Sequence, residues 1–106
     1  MALQLLTLPA VTVASGGTAV RLSSTSLYVL SVTIQADFAN TSKVQIGSSG
    51  VTSSNGIEVP PGDIATIDAP VSPRGGSEEI DLKDVWINSS TTGDKVRVVT
   101  FVRPAG

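Results

Sequence analysis

The side chains able to do chemistry in this chain are carboxylates and hydroxyls. Glu58, Asp63, Glu78, Glu79, Asp81 and Asp84 lie in its acidic middle, which holds seven of the nine acids. Two such groups across a cleft would be the equipment of a glycosidase, one giving a proton and the other serving as base or nucleophile. No spacing joins a specific pair. A sugar-binding face would also call for aromatic platforms, and the chain has only Tyr28, Phe38, Trp86 and Phe101. As a run of charge the acids read as a solvated surface. Serine is abundant, but no Gly-x-Ser-x-Gly occurs and no histidine is present to activate one. With neither histidine nor cysteine, thiolate metal sites, imidazole ligands and disulfides are excluded. The turn Asn88 to Asp94 offers oxygens to calcium but lacks the acidic spacing of an EF-hand. The glycines around Ser48 and Ser49 are followed by no lysine and no helix, so the phosphate-cradling reading fails. No cofactor and no metal ion is expected.

What remains are residues suited to contact. Trp86 lies between Val85 and Ile87, which share an inward phase, so Trp86 points outward as a contact anchor or sits in a second core layer. Arg97, Val99, Phe101 and Arg103 share one face of the last strand. They read as an apolar patch with a basic rim, the composition of a subunit interface. The candidate interface is therefore Trp86, Val99, Phe101, Arg97 and Arg103.

The elements that must position these residues are strands. From Leu30 to Ala36, apolar and polar residues alternate, and Val44 and Ile46 alternate with Lys43 and Gln45 after a polar break at Asp37–Thr41. A period of two is that of a strand with one buried face. The pair reads as a hairpin at the centre of a sheet. Leu3 to Leu8 alternates loosely and stops at Pro9, which has no N–H to give a ladder. Residues 1–14 thus read as an arm or an edge strand. Short strands follow at Thr18–Leu22, Gly56–Val59 and Asp63–Asp68, where Ile64 is out of phase with Ala65 and Ile67. Gly47–Gly56 reads as an exposed loop too polar to pack, and Ala69–Ser77, with two prolines and two glycines, as the most mobile internal segment. Between Ile80/Leu82 and Val85/Ile87 the phase shifts, which calls for a bulge at Lys83-Asp84 or a helical turn over Asp81–Asp84. Lys95–Arg103 closes the chain with Val96, Val98 and Val102 on the buried side.

This pattern predicts an all-β fold: one small antiparallel β-sandwich of about seven or eight short strands, jelly-roll-like or Ig-like, over residues 1–106. The 106 residues suffice for one core. That core is aliphatic, because the chain is 41% hydrophobic and only 4% aromatic. Charged residues make up 15%, against about a quarter in ordinary domains. Such a surface suits either coverage by neighbouring subunits or a quiet small β protein. A net charge of −2 with scattered basic residues gives no footprint for nucleic acid. No apolar run approaches the roughly 18 residues of a membrane-spanning helix, and the start of the chain lacks the basic region of a signal peptide. No nucleic-acid and no membrane partner is expected, and synthesis in a cytoplasm is.

Several phrases carry a resemblance. They are Ser31-Val32-Thr33-Ile34-Gln35-Ala36, Asn40, Val44-Gln45-Ile46-Gly47, Asn55-Gly56-Ile57-Glu58-Val59 with Pro61-Gly62-Asp63, Ile80 through Asn88, and Gly93-Asp94-Lys95-Val96. In this order the chain, from about Leu27 to Val102, resembles small structural proteins of tailed-bacteriophage virions. The resemblance implies a virion component with no catalytic residues. It implies a capsid decoration or cement protein that binds the major capsid protein and copies of itself, as a trimer, on the capsid surface after synthesis in the host cytoplasm. A tail, neck or fibre-associated module is the alternative within the virion. A carbohydrate-binding β-sandwich module is the alternative from another class, and an enzyme is a distant third.

Overall fold

The computed structural model describes residues 4–69 and 78–102. Ten strands form: β1 (Gln4–Thr12), β2 (Val20–Arg21), β3 (Tyr28–Val29), β4 (Ser31–Ala36), β5 (Val44–Gly47), β6 (Ile57–Val59), β7 (Ile64–Asp68), β8 (Ile80–Asp81), β9 (Trp86–Ser89) and β10 (Lys95–Val102). Three of them, β2, β3 and β8, have only two residues, too short to carry an alternation in the sequence. No α-helix occurs among the described residues.

The strands build two four-stranded antiparallel sheets, β1-β10-β4-β7 and β2-β9-β5-β6, with β3 and β8 paired separately. The architecture is thus all-β and sandwich-like, as the alternation predicts. In β4, Val32, Ile34 and Ala36 are fully buried while Ser31, Thr33 and Gln35 are half-buried on the other side. In β10, Val96, Val98 and Thr100 are buried on the same side. They meet Val44 and Ile46 of β5, Val59 of β6 and Ile87 of β9 in one aliphatic core. Burying each such side chain contributes roughly 1.5–3 kcal/mol, less the entropy of ordering it.

The expected central hairpin does not form. β4 pairs with β10 and β7, whereas β5 pairs with β9 and β6. Residues 37–43 instead carry the chain around a corner from one sheet to the other. Side chains hold that corner against the turn before β10. Asn40 closes a two-way clasp on Lys95, its Oδ1 accepting from the Lys95 N–H and its Nδ2 donating to the Lys95 carbonyl, both at 2.8 Å. The Asp94 carboxylate accepts from the Thr41 N–H at 2.9 Å, the Ser42 N–H at 3.0 Å and the Ser89 hydroxyl at 2.8 Å.

Three further expectations resolve. The N-terminal segment is an edge strand, paired to β10, and it continues past Pro9 to Thr12 with a register shift between Leu8 and Val11. Such an irregularity is where an edge strand tolerates proline. The phase change before Trp86 is accomplished by a 3-10 turn at Leu82–Asp84, capped by the Asp81 side chain accepting from the Lys83 N–H. The Gly47–Gly56 loop is not wholly exposed. Val51 is buried, and its carbonyl accepts from the Asn88 amide at 3.0 Å. A single valine and one buried asparagine anchor a loop whose composition reads as unpackable. The Ala69–Ser77 loop lies outside the described residues from position 70 onward.

Candidate contact surface

β10 runs between β1 and β4, so its outward side chains occupy the middle of a sheet face. Register sets their neighbours. Phe101 lies between Leu5 and Ser31, Val99 between Thr7 and Thr33, and Arg97 beside Gln35. β7 extends each row by one column, with Asp68 beside Ser31, Thr66 beside Thr33 and Ile64 beside Gln35. The face carries three exposed large apolar side chains, Leu5, Phe101 and Ile64, at 58%, 40% and 60% exposure. Its centre is Val99 and Thr33, half-buried by their neighbours, and the Thr33 and Thr66 hydroxyls lie 3.2 Å apart.

At one end the face sinks into an open groove of about 600 Å³. It forms beside the irregular stretch of β1, and Thr7, Ala10, Gln35, Ile64 and Val99 line it. Charge gathers at this end. Asp37 has Lys95 Nζ at 3.5 Å and Arg97 Nε at 4.0 Å. The Ala39 N–H bound to its carboxylate is the chief cause holding its pKa below the ordinary value of 3.8, with the two cations adding to this and burial opposing it. Two cations around one acid leave the groove end locally positive on a chain whose net charge is −2.

Asp81 is held low in the same manner, chiefly by the Lys83 N–H, with burial opposing it and the Ser26 hydroxyl and the Leu27 N–H adding to the lowering. A carboxyl whose folded value is depressed stabilises the fold above its unfolded value and ceases to do so as pH falls through the folded one. Urea midpoints are therefore expected to change little from these two groups between neutral pH and about 4 and to decline below the ordinary value of 3.8. A variant carrying Asp37→Asn and Asp81→Asn should show a shallower decline. An identical acid slope in wild type and variant would refute the assignment.

The five residues chosen from the sequence do not form one patch. Arg97, Val99 and Phe101 come together as described. Trp86 lies elsewhere: on β9 its neighbour Ile87 is buried in the core, so Trp86 faces out from the other sheet, on the opposite side of the sandwich. There it is half-buried, paired in register with Arg21 and Gly47, with the Arg21 guanidinium 4.8 Å from the ring centroid. A cation over an indole face is a self-contained contact. Arg103 lies outside the described residues. Sequence reasoning missed Leu5, which is brought into the patch only by its pairing with Phe101. It also missed Phe38, whose 79% exposed ring lies over Gly62. Gly62 has φ +86°, and a Cβ there would come within 2.5 Å of that ring. The phase conflict between Ile64 and Ile67 signalled that one of them is exposed or the strand doubly covered, and the structure exposes Ile64.

Among the described residues no group of three or more acidic, histidine or cysteine side chains could hold a metal ion, and no helix is long and apolar enough to cross a membrane. No family model, no curated protein and no solved structure matches the chain.

Proposed function

We propose that this chain is a structural component of a tailed-bacteriophage virion, a decoration protein that binds across joints between major capsid subunits and does no catalysis. The observation that carries this reading is the outer face of the β1-β10-β4-β7 sheet. A face offering Leu5, Phe101 and Ile64 around a threonine–valine centre, with Lys95 and Arg97 gathered at one end, has the make-up of a contact surface. The phrases from Ser31 to Val96 that resemble virion proteins give the reading its setting.

Dimensions argue for many weak contacts in preference to one strong one. Four strands at about 4.8 Å spacing and five residues at about 3.4 Å rise cover roughly 300–350 Å². A stable pairwise interface needs about 800 Å² per partner. A protein held through such a face gains its hold by engaging several lattice subunits at once.

Mass spectrometry of purified particles tests the assignment. A copy number on the order of hundreds, matching a repeating lattice, is the expected result. Roughly six to a dozen copies would move the protein to the neck or tail, and absence from particles would end the virion reading. Phe101→Thr keeps a strand-favouring residue while removing the exposed aromatic side chain. It is expected to reduce occupancy on particles roughly tenfold, the loss of about 1.4 kcal/mol typical of an interface anchor. Unchanged occupancy would exclude this face.

A further inference from the structure

The two larger sheets have four edge strands: β1, β7, β2 and β6. Three are blunted. β1 carries Pro9 and a register shift, β2 has two residues, and β6 has three and runs into Pro60-Pro61. Exposed edges invite pairing with another chain, and proteins prevent it with proline, lysine, bulges or brevity. β7 has none of these. It is five residues, Ile64-Ala65-Thr66-Ile67-Asp68, with continuous pairing to β4 and a single charge at its end.

The direction of its backbone groups follows from the ladder. The Ala36 N–H donates to the Asp63 carbonyl at 3.0 Å, and the Ala69 N–H donates to the Leu30 carbonyl at 2.8 Å. Asp63 and Ala69 therefore face β4, and by alternation so do Ala65 and Ile67. Ile64, Thr66 and Asp68 turn their N–H and C=O groups to the free side, where they find no partner among the described residues.

We propose that β7 pairs antiparallel with β7 of a second copy about a two-fold axis through Thr66. The outward residues are symmetric about Thr66, so three hydrogen-bonded pairs form at once: Thr66 with the second copy's Thr66, and Ile64 with the second copy's Asp68, twice. This gives about six backbone hydrogen bonds and joins the two four-stranded sheets into one. This register keeps the two Asp68 side chains apart. In it the two Asp68 carboxylates lie at opposite ends of the seam, about four residues or 13–14 Å apart, beyond the screening length of about 8 Å at physiological salt. The Thr33–Thr66 hydroxyl pair extends toward its counterpart as a threonine ladder across the axis. An isologous contact of this kind closes at two copies. It therefore departs from the threefold association that the resemblance implies, and it stands or falls independently of the virion reading.

Sedimentation equilibrium of the full chain from about 1 μM to about 1 mM, a window that spans weak association, is expected to show a monomer–dimer equilibrium. Amide hydrogen exchange followed by NMR supplies the residue-level reading. The Ile64, Thr66 and Asp68 amides should exchange at least tenfold more slowly at the concentrated end than at the dilute end, while Ala65 and Ile67 stay slow at both. Thr66→Pro removes one outward N–H without touching the internal ladder, and Thr66→Lys sets like charges together on the axis. Each should raise the dimer dissociation constant at least tenfold. A monomer across the whole window overturns the proposal. So does a dimer indifferent to both substitutions, or one whose Ile64, Thr66 and Asp68 amides exchange alike at both concentrations.

Discussion

Replacing Asp94 with alanine is expected to cost about 3–4 kcal/mol of folding stability, read as a shift in the urea midpoint. The carboxylate is buried and accepts three hydrogen bonds from two elements that are distant in sequence: the Thr41 and Ser42 N–H groups at the corner between the sheets, and the Ser89 hydroxyl at the end of β9. A hydrogen bond to a charged group contributes about 1.5–3 kcal/mol, and a buried donor left without an acceptor costs about 1–3 kcal/mol. The corner donors are partly reachable by water once the side chain is gone, which keeps the sum below three full bonds. A domain of this size has roughly 5–15 kcal/mol in total, so the variant would be marginal. Asp94→Asn retains one acceptor oxygen and turns an amide donor toward the other N–H, so it should fall between wild type and alanine. A midpoint shift worth less than about 1 kcal/mol for Asp94→Ala would mean that the corner does not depend on this carboxylate.

The second large effect is expected at Ile34. It is fully buried in the middle of β4, the strand between β10 and β7, and belongs to the core shared by both sheets. Truncation to alanine loses the transfer energy of the removed carbons and leaves a cavity, about 2–5 kcal/mol in close-packed cores. The expected value lies toward the upper half, because neighbouring β-branched side chains such as Val32, Val98 and Ile87 are stiff and relax poorly into a void. Ile64→Ala is the matched control. Ile64 sits in the same sheet, one column away and 60% exposed, so its truncation should stay within about 0.5 kcal/mol in dilute monomer. Equal costs at the two positions would contradict the assigned faces of the sheet.

That contrast between two isoleucines was partly legible before any fold was known. Ile34 keeps step with Val32 and Ala36, and Ile64 is out of step with Ala65 and Ile67. Period two therefore assigns Ile34 to the core and says that either Ile64 or Ile67 is exposed or their strand is covered on both faces; the fold decides for Ile64. The same reasoning placed Val96 and Val98 inward and Arg97, Val99 and Phe101 outward. It also allowed a helical turn where Leu82–Asp84 forms one.

Partnership between strands was not legible. Alternation says which side of a sheet a residue faces and is silent on which strand lies beside it. The polar break after Ala36 contains turn formers that suit a hairpin and a corner equally. What selects the corner is the side-chain set Asn40 and Asp94, whose partners are about 50 residues away and become neighbours only in the folded chain. The candidate surface follows the same division. The chain's own pattern put Phe101 on the strand face opposite Val96 and Val98 and left Trp86 as either an outward anchor or part of a second core layer. Only the stacking of two sheets decided that they point in opposite directions, and only the β1–β10 register set Leu5 beside Phe101. Side-chain phase is a property of consecutive residues, whereas adjacency across a sheet or between sheets depends on which distant segments pair.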